Sequence, residues 1–454
     1  MPLKDNQVFE AVKELKTQRS TDMTRLEKIR RYLRDDPQRQ GLEGLPTGTP
    51  AEMQRLARLS RVNMLKFVVN TRVQSMYVDG YRATGADKDA AAWDVWQQNG
   101  MDARQIGVHR AALAYGISYV TVLPGEPVPV LRGASPRQLT TVYGEDDEWP
   151  ELALEKRRAR SGELWRLFDT EAVYWVRIPK DSDSPQMVTG DDGNPLVQMH
   201  DAGVVPVVRF SDTNDLDDPV TGIVEPLIPL QDQINMTTFG LLVAQHFGAF
   251  KQRWIIGWLA ESEEQRLKAS ASTLFTVDDS PADVKIGEWS ETELDGYIKS
   301  REATLKHLAT ISQTPAHELI GELVNLSAEA LRAAEASKRQ AITENQTVMG
   351  ESHEQELGLA SRYMKTEPDP SAEVRWRDTE ARALGQLVDA LGKAVNLLGI
   401  PPQALWDRVA DAMGVSNQEV ENWKALASQA NAFAGLDQML KDQAAPPTPE
   451  GAAA

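Results

Sequence analysis

The spacing of apolar residues along this chain is helical at first, close to two in the middle, and helical again toward the end. Residues 1–36 predict a polar helix of alternating charge that stops near Asp36-Pro37, and G-L-E-G-L-P-T-G-T-P after it reads as a loop. Leu56, Leu59, Val62, Leu65, Val69, Val73 and Met76 then fall on one face of a long helix. Its start is well signed: Thr49 as cap, Pro50 at the first helical position and Glu52 completing a capping box. Its end is expected near Asp79-Gly80, and a helical pair follows over residues 90–98 and 102–115, broken at Asn99-Gly100. From Gly116 the period shortens, with I-S-Y-V-T-V-L, Q-L-T-T-V-Y, L-W-R-L-F-D and A-V-Y-W-V-R-I set between turn signals. A polar loop over 179–194, a last strand in V-V-P-V-V-R-F and an acidic linker over 212–218 complete this strand-rich region.

Helical spacing returns at Pro226, where Leu227, Leu230, Ile234, Leu241 and Leu242 mark one side of a helix running to about residue 250. At ~1.5 Å per residue that is a rod on the order of 35 Å. Gly240 and Gly248 each cost it about 1 kcal/mol relative to Ala, which points to close neighbours or bends. Over 251–290 the pattern is mixed, with W-I-I-G-W and T-L-F-T-V as short strand candidates. Ser290 and Glu293 make a second capping box, opening a helix over 291–314 with Leu294, Ile298, Leu305 and Leu308 on one face. Residues 315–326 predict a loop or broken helix. A long helix rich in Ala and poor in large apolar residues follows over 327–364; it must pack through small side chains or be stabilised within an assembly. Past P-D-P at 368–370, Trp376, Leu384, Leu387, Leu391, Val395, Leu405, Trp406 and Trp423 predict a compact helical unit to about residue 436, and the remainder is a low-complexity tail. The fold class is α+β, mainly helical.

Composition narrows the function. A chain of 454 residues with 41% hydrophobic content holds several packed units. Lacking both a run of eighteen apolar residues and an apolar leader, it reads as a soluble protein made in a cytoplasm, with no membrane partner. It has no cysteine, which removes disulfides, thiolate metal sites and cysteine nucleophiles. A formal charge of −18 argues against gripping nucleic acid by its phosphates, yet suits a wall past which a polyanion must slide.

Catalytic signatures are absent. Gly392-Lys393 lacks the rest of a Walker A sequence, and His317-Glu318 begins a zinc-protease pattern that Gly321 and Glu322 fail to complete. Asp212, Asp215, Asp217 and Asp218 resemble a hard-cation loop without the glycine and distal glutamate of an EF-hand, so they read as a solvated linker. No metal or cofactor is expected. Residues 407–423 outline a helix-turn-helix opened by Ser416 and Glu419, but the would-be recognition helix carries Glu419 and Glu421 with only Lys424 nearby, so a structural hairpin is the better reading. Trp254 and Trp258, set among apolar neighbours, read as packing or interface residues.

Three blocks carry a family resemblance: G-I-V-E-P-L-I-P-L-Q-D-Q-I-N-M-T-T with A-F-K-Q-R-W-I-I-G; L-A-T-I-S-Q-T-P-A-H-E-L-I-G-E-L-V-N-L-S-A-E-A-L-R-A-A-E; and V-R-W-R-D-T-E-A-R. In this order and spacing they resemble tailed-phage portal proteins of the Gp6-like siphophage class, prominent in phages of actinobacteria, from about residue 50 to 430. The resemblance implies an N-terminal wing over 1–225, a first stem helix over 226–250, a clip over 251–290 and a second stem helix over 291–314. A tunnel loop over 315–326, a wing helix over 327–370, a helical crown over 371–436 and a disordered tail over 437–454 would follow. It further implies a dodecameric ring at the unique capsid vertex of the virion, passing double-stranded DNA and meeting the large terminase, the head-tail adaptor, the major capsid protein and scaffold. His317, Glu318, Glu322 and Asn325 would face the channel, with Leu319, Ile320, Leu323 and Val324 packing against the adjacent subunit. Trp254, Trp258, Asp278, Asp279 and Asp283 would mark the clip interface, while Leu227, Leu230, Ile234, Leu241, Leu294, Ile298, Leu305 and Leu308 would pack the stem. A helix-turn-helix regulator is the competing reading, and it leaves the helix-clip-helix layout unexplained.

Overall fold

The structure, a computed structural model, describes residues 2–34, 46–82, 86–144, 148–182, 184–190, 193–217, 220–248, 253–256, 285–288, 293–321, 328–377, 384–413, 415, 419–420 and 422–428. Eleven α-helices are described: α1 (Asp5–Leu33), α2 (Ala51–Leu59), α3 (Met64–Gln74), α4 (Ala86–Gln98), α5 (Met101–Tyr115), α6 (Val224–Gly248), α7 (Asp295–Ile311), α8 (Ala316–Ile320), α9 (Ala328–Tyr363), α10 (Leu384–Leu398) and α11 (Trp406–Met413). The strands are β1 (Val78–Arg82), β2 (Ile117–Leu123), β3 (Val130–Ala134), β4 (Leu139–Tyr143), β5 (Pro150–Arg157), β6 (Glu163–Phe168), β7 (Ala172–Ile178), β8 (Gln186–Met187), β9 (Val197–Met199), β10 (Val207–Ser211), β11 (Arg253–Ile256), β12 (Lys285–Glu288) and β13 (Glu373–Trp376). They belong to two compact units, one of residues 1–24, 70–222 and 342–454, the other of residues 25–69 and 223–341.

The first unit is layered by the period-two pattern. A six-stranded antiparallel sheet, β4-β5-β6-β7-β8 with β9 also on β7, alternates its side chains between two cores. Leu154, Leu167 and Tyr174 meet Val8, Val12 and Leu15 of α1, while their neighbours Ala153, Phe168 and Val173 face Tyr119 and Val207 of a three-stranded sheet ordered β10-β2-β3. Helix α5 packs on that smaller sheet. The α5–β2 turn needs two glycines, because a Cβ on Gly116 would strike Val220 and Gly222 and a Cβ on Gly222 would strike Gly116; both hold positive φ.

Helix α9 docks here through polar side chains removed from water. Asn345, Ser352, His353 and Glu356 are all buried, beside Met349, Leu357 and Ala360. Asn345 Nδ2 donates to the backbone oxygen of Asp212 at 2.6 Å and to its Oδ1 at 2.9 Å, and the Ser352 hydroxyl donates to Arg209 O at 2.8 Å. His353 Nε2 lies 2.8 Å from His109 Nε2 and its Nδ1 lies 3.0 Å from Glu356 Oε1, with Trp96, Phe210 and Trp376 packed around the ring. Burial holds His353 down to about 3 and pushes the Glu356 carboxyl well above its usual range. Both shifts favour the neutral forms of the pair.

Several expectations need correction. The long helix expected from Pro50 is two helices, and its end is strand β1. The capping box does not form: the Thr49 hydroxyl donates to Pro46 O at 2.6 Å, and Glu52 instead lies 2.7 Å from His246. Strands β3, β5 and β13 were not expected; β13 pairs antiparallel with β1, so Trp376 lies on a strand instead of in the helical unit. Arg375 and Arg377 both reach Asp79 across that pair, at 3.0 and 3.4 Å. Asp212 is no linker residue. It is buried, its carboxyl raised to about 7 by desolvation against the pull of Arg72, while Asp215 and Asp217 stay exposed. The C-terminal unit is loosely packed, with Val388, Leu397 and Leu398 exposed on α10 and with Leu391 and Val395 half-buried. Leu384 and Leu387 begin α10, but the placement of their side chains lies outside the described residues.

Glu356→Gln tests the neutral polar chain. Because the folded carboxyl titrates above its unfolded value of 4.5, its penalty is absent below that pH and grows above it. The variant is expected to gain stability relative to wild type as pH rises above the ordinary carboxyl range, with no gain below it, read from urea unfolding at each pH.

Candidate functional site

The second unit is built on an apolar rod. Helix α6 is rich in large apolar residues: Leu227, Ile228 and Ile234 are buried, Leu230, Leu241 and Leu242 half-buried, and Met236 is 62% exposed on the face that also carries Asp232 and Gln233. Pro226 sits in its first turn, at a position whose N–H has no intrahelical partner in any case. Helix α7 packs against it in the opposite sense, Tyr297 lying on Gly240 and Ser300 facing Met236. Gly240 is required there, since a Cβ would stand 2.8 Å from the Tyr297 ring, so close approach and not a bend explains this residue. Leu305 and Leu308 are buried on α7, while Ile298 and Ile311 remain exposed. The helix begins at Asp295, later than expected, and leaves Leu294 at the cap position, half-buried. Between the two helices, β11 and β12 pair antiparallel in the register Arg253↔Glu288 to Ile256↔Lys285. Trp254 lies on β11; Trp258, Asp278, Asp279, Asp283 and the strand expected in T-L-F-T-V fall outside the described residues.

Two amides on α6 decide the geometry of the neighbouring segment. Gln231 and Asn235 are buried four residues apart, on the face that also carries Leu227 and Ile234. Gln231 Oε1 accepts from Met64 N at 2.9 Å and its Nε2 donates to Val62 O at 2.6 Å, while Asn235 Oδ1 accepts from Val62 N at 3.2 Å. These bonds satisfy the backbone groups exposed where α2 ends and α3 begins, so the break costs little. Arg25 reaches Glu225 at 2.8 Å, and the Tyr32 hydroxyl donates to Asp232 at 2.7 Å, tying α1 to the same rod. Sequence reasoning missed Gln231 and Asn235, although two amides at helical spacing inside an apolar row are a legible signal of a buried hydrogen-bonding role.

After α7 the chain turns at Thr314-Pro315 into the short helix α8, closed by Gly321 at φ 77°. The structure brings His317, Glu318, Leu319 and Ile320 together on this turn. Leu319 is buried within its own chain, and His317 and Ile320 are half-buried. Glu318 is not free: Lys338 Nζ on α9 donates to both of its carboxylate oxygens, at 2.7 and 3.0 Å. Glu322, Leu323, Val324 and Asn325 lie outside the described residues. Among the described residues, His, Asp and Glu nowhere gather as metal ligands would, and no helix is long and apolar enough to cross a membrane.

The second unit thus holds an apolar antiparallel helix pair with a small two-stranded sheet between them in the chain, and the short helix α8 and the 36-residue helix α9 follow in sequence. The family described as phage portal protein, SPP1 Gp6-like, matches residues 12–432, and the chain belongs to that family. Its similarity extends to the portal protein of Mycobacterium phage D29, 25% identical over 414 residues that make up 84% of this chain and 82% of that one. The portal protein of Mycobacterium phage L5 is likewise 25% identical, over 415 residues covering 84% and 81%. Among solved structures, a chain from the virion of a native gene transfer agent particle shares the fold at a TM-score of 0.50 and 16% identity, covering 79% of this chain and 96% of that one. The expected resemblance to portal proteins of actinobacterial phages therefore holds across most of the chain.

Gln231→Ala removes the side-chain acceptor of the Met64 and Leu65 amides and the side-chain donor to the Val62 carbonyl at the α2–α3 break. A loss of about 3 kcal/mol in urea unfolding is expected, with faster hydrogen exchange confined to the amides of residues 62–65. Lys338→Met strands the Glu318 carboxylate at 20% exposure, so a loss of about 1–2 kcal/mol is expected, most of it recovered in Glu318→Gln/Lys338→Met.

Proposed function

We propose that the chain works as a dodecameric ring at the unique capsid vertex of the virion, a channel for double-stranded DNA during packaging and ejection. One observation carries this reading: α6 carries large apolar residues beyond its buried face, and α7 and the segment beginning at α2 leave Met236 on it and Ile298 on α7 exposed. A helix of this kind is stable only when further apolar surface covers it, and copies of the same chain arranged around an axis supply that surface. The exposed Val388, Leu397 and Leu398 of α10 favour the same conclusion.

In that ring α6 and α7 are the stem, residues 251–290 the clip, residues 315–326 the tunnel loop, α9 the wing helix and residues 371–436 the crown. The clip meets the large terminase during packaging and the head-tail adaptor afterwards, with Trp254, Trp258, Asp278, Asp279 and Asp283 at that contact. The wing meets major capsid protein and scaffold, and assembly takes place in the host cytoplasm. No bond chemistry is assigned to this chain. Its role toward DNA is mechanical and electrostatic, an acidic wall that a polyanion passes without sticking. His317, Glu318, Glu322 and Asn325 face the channel, the charge of Glu318 being paired with Lys338. Leu323 and Val324 then pack against the adjacent subunit, together with Ile320.

Electron microscopy of the purified full chain, with and without its scaffold, tests the reading. End-on views are expected to show twelvefold rings with a central hole; a protein that stays monomeric at high concentration in both conditions sinks it.

A further inference from the structure

The first unit carries two open grooves of opposite charge, at the two edges of its three-stranded sheet. The groove at the β3 edge, about 850 Å³, has Ala103, Gly107 and Ala111 of α5 as its floor and four guanidiniums around it, those of Arg104, Arg110, Arg132 and Arg157. Its single lining carboxylate, Glu155, is already taken by the buried Arg166 and by Arg157 at 3.0 Å. Arg104 and Arg110 are exposed and bond only neutral oxygens, those of Leu131 and Asn70, and the exposed Arg132 meets no carboxylate within ion-pair distance among the described residues.

The groove at the β10 edge, about 1070 Å³, is lined by Glu148, Glu351, Glu354, Glu367 and Asp369 against Arg209 and Arg362. Arg209 is stacked on the Tyr143 ring of its own chain at 4.3 Å. Glu148, Glu351 and Glu367 are exposed and find no cation within ion-pair distance among the described residues. Burial first, and then the charges of Glu351 and Glu373, push the Glu354 carboxyl up against the bond that it accepts from Val374 N.

We propose that the arginine groove of one copy receives the carboxylate groove of the next copy, making the head-to-tail contact that closes the ring. The inference rests on the ring reading above and names the surfaces that build it. A cyclic ring needs two different, complementary faces on each subunit, and here they stand at opposite edges of one sheet in one compact unit. Guanidiniums match carboxylates with paired hydrogen bonds, and the small floor of the basic groove lets a partner approach closely. Charge demands such a contact as well: subunits of net charge −18 repel one another unless their interface brings cations onto anions.

Charge reversal tests the pairing in the full chain, with ring and monomer fractions read by mass photometry and folding by melting temperature. Wild type is expected to form rings that weaken as salt rises. Arg104→Glu/Arg132→Glu and, separately, Glu351→Arg/Glu367→Arg are expected to lower the ring fraction at least tenfold without lowering the monomer melting temperature, and the chain carrying all four changes to form rings again. Because the natural chain has no cysteine, Arg132→Cys/Glu351→Cys gives an independent readout: oxidation is expected to produce a covalent ladder of multimers. Wild-type rings left intact by both reversals, or no ladder from rings that form, overturn the inference while leaving the ring reading standing. Wild-type chains that never form rings overturn both. Rings unaffected by Arg104→Glu/Arg132→Glu together with loss of duplex DNA binding would show the groove to be a phosphate surface, and the proposal would fall.

Discussion

The α+β body depends on how α9 is held, and α9 is held by polar atoms removed from water. A long helix rich in alanine offers little apolar area, on the order of 25 cal/mol for each square ångström it hides, so area alone anchors it weakly. The buried row of Asn345, Ser352, His353 and Glu356 supplies direction as well as attachment, because each group finds its partner in one position only. The partners outside α9 are Asp212, Arg209 of β10 and His109 of α5, and Glu356 braces His353 from within α9, so one helix face registers the smaller sheet and α5 together. The cost is desolvation, which lowers the His353 imidazole far below its ordinary range and pushes the Glu356 carboxyl well above its own.

The helical rod follows a different physics. Helix α6 is rich in large apolar residues, and its own unit covers only part of that surface. The two buried amides at Gln231 and Asn235 interrupt this apolar surface at the point where a neighbouring backbone has to break, converting a gap between α2 and α3 into a bonded corner. A portal subunit has reason to combine these features. The rod leaves Met236 exposed, while its attachment to the rest of the unit is set by directional bonds that do not slip.

The chain's strong negative charge joins the two levels. It suits a conduit for a polyanion, and it makes every contact between copies electrostatically expensive unless cations are concentrated where copies meet. Basic residues are correspondingly gathered in one groove of the first unit, and in the second unit Lys338 is spent on the carboxylate of Glu318.

Much of this was readable from the chain. Local pattern located most elements: alternating charge α1, alanine richness α9, and hydrophobic period the helical pair α4 and α5 with its Asn99-Gly100 break, the strands β2, β6 and β7, and the helices α6 and α7, because such patterns are enforced by neighbours in sequence. The order and spacing of the G-I-V-E-P, Q-T-P-A-H-E-L-I-G and V-R-W-R blocks placed the family. Tertiary structure decided what depends on distant partners. Residues 60–63 break an otherwise continuous apolar face because Gln231 and Asn235 stand ready to bond the opened backbone. Asp212 leaves its acidic run for the interior because Asn345 waits there, and Trp376 joins a strand because β1 offers an edge. Glu318 lost its expected freedom to Lys338, twenty residues further on. A polar side chain in sequence is a request for a partner, and only the folded chain determines who answers it.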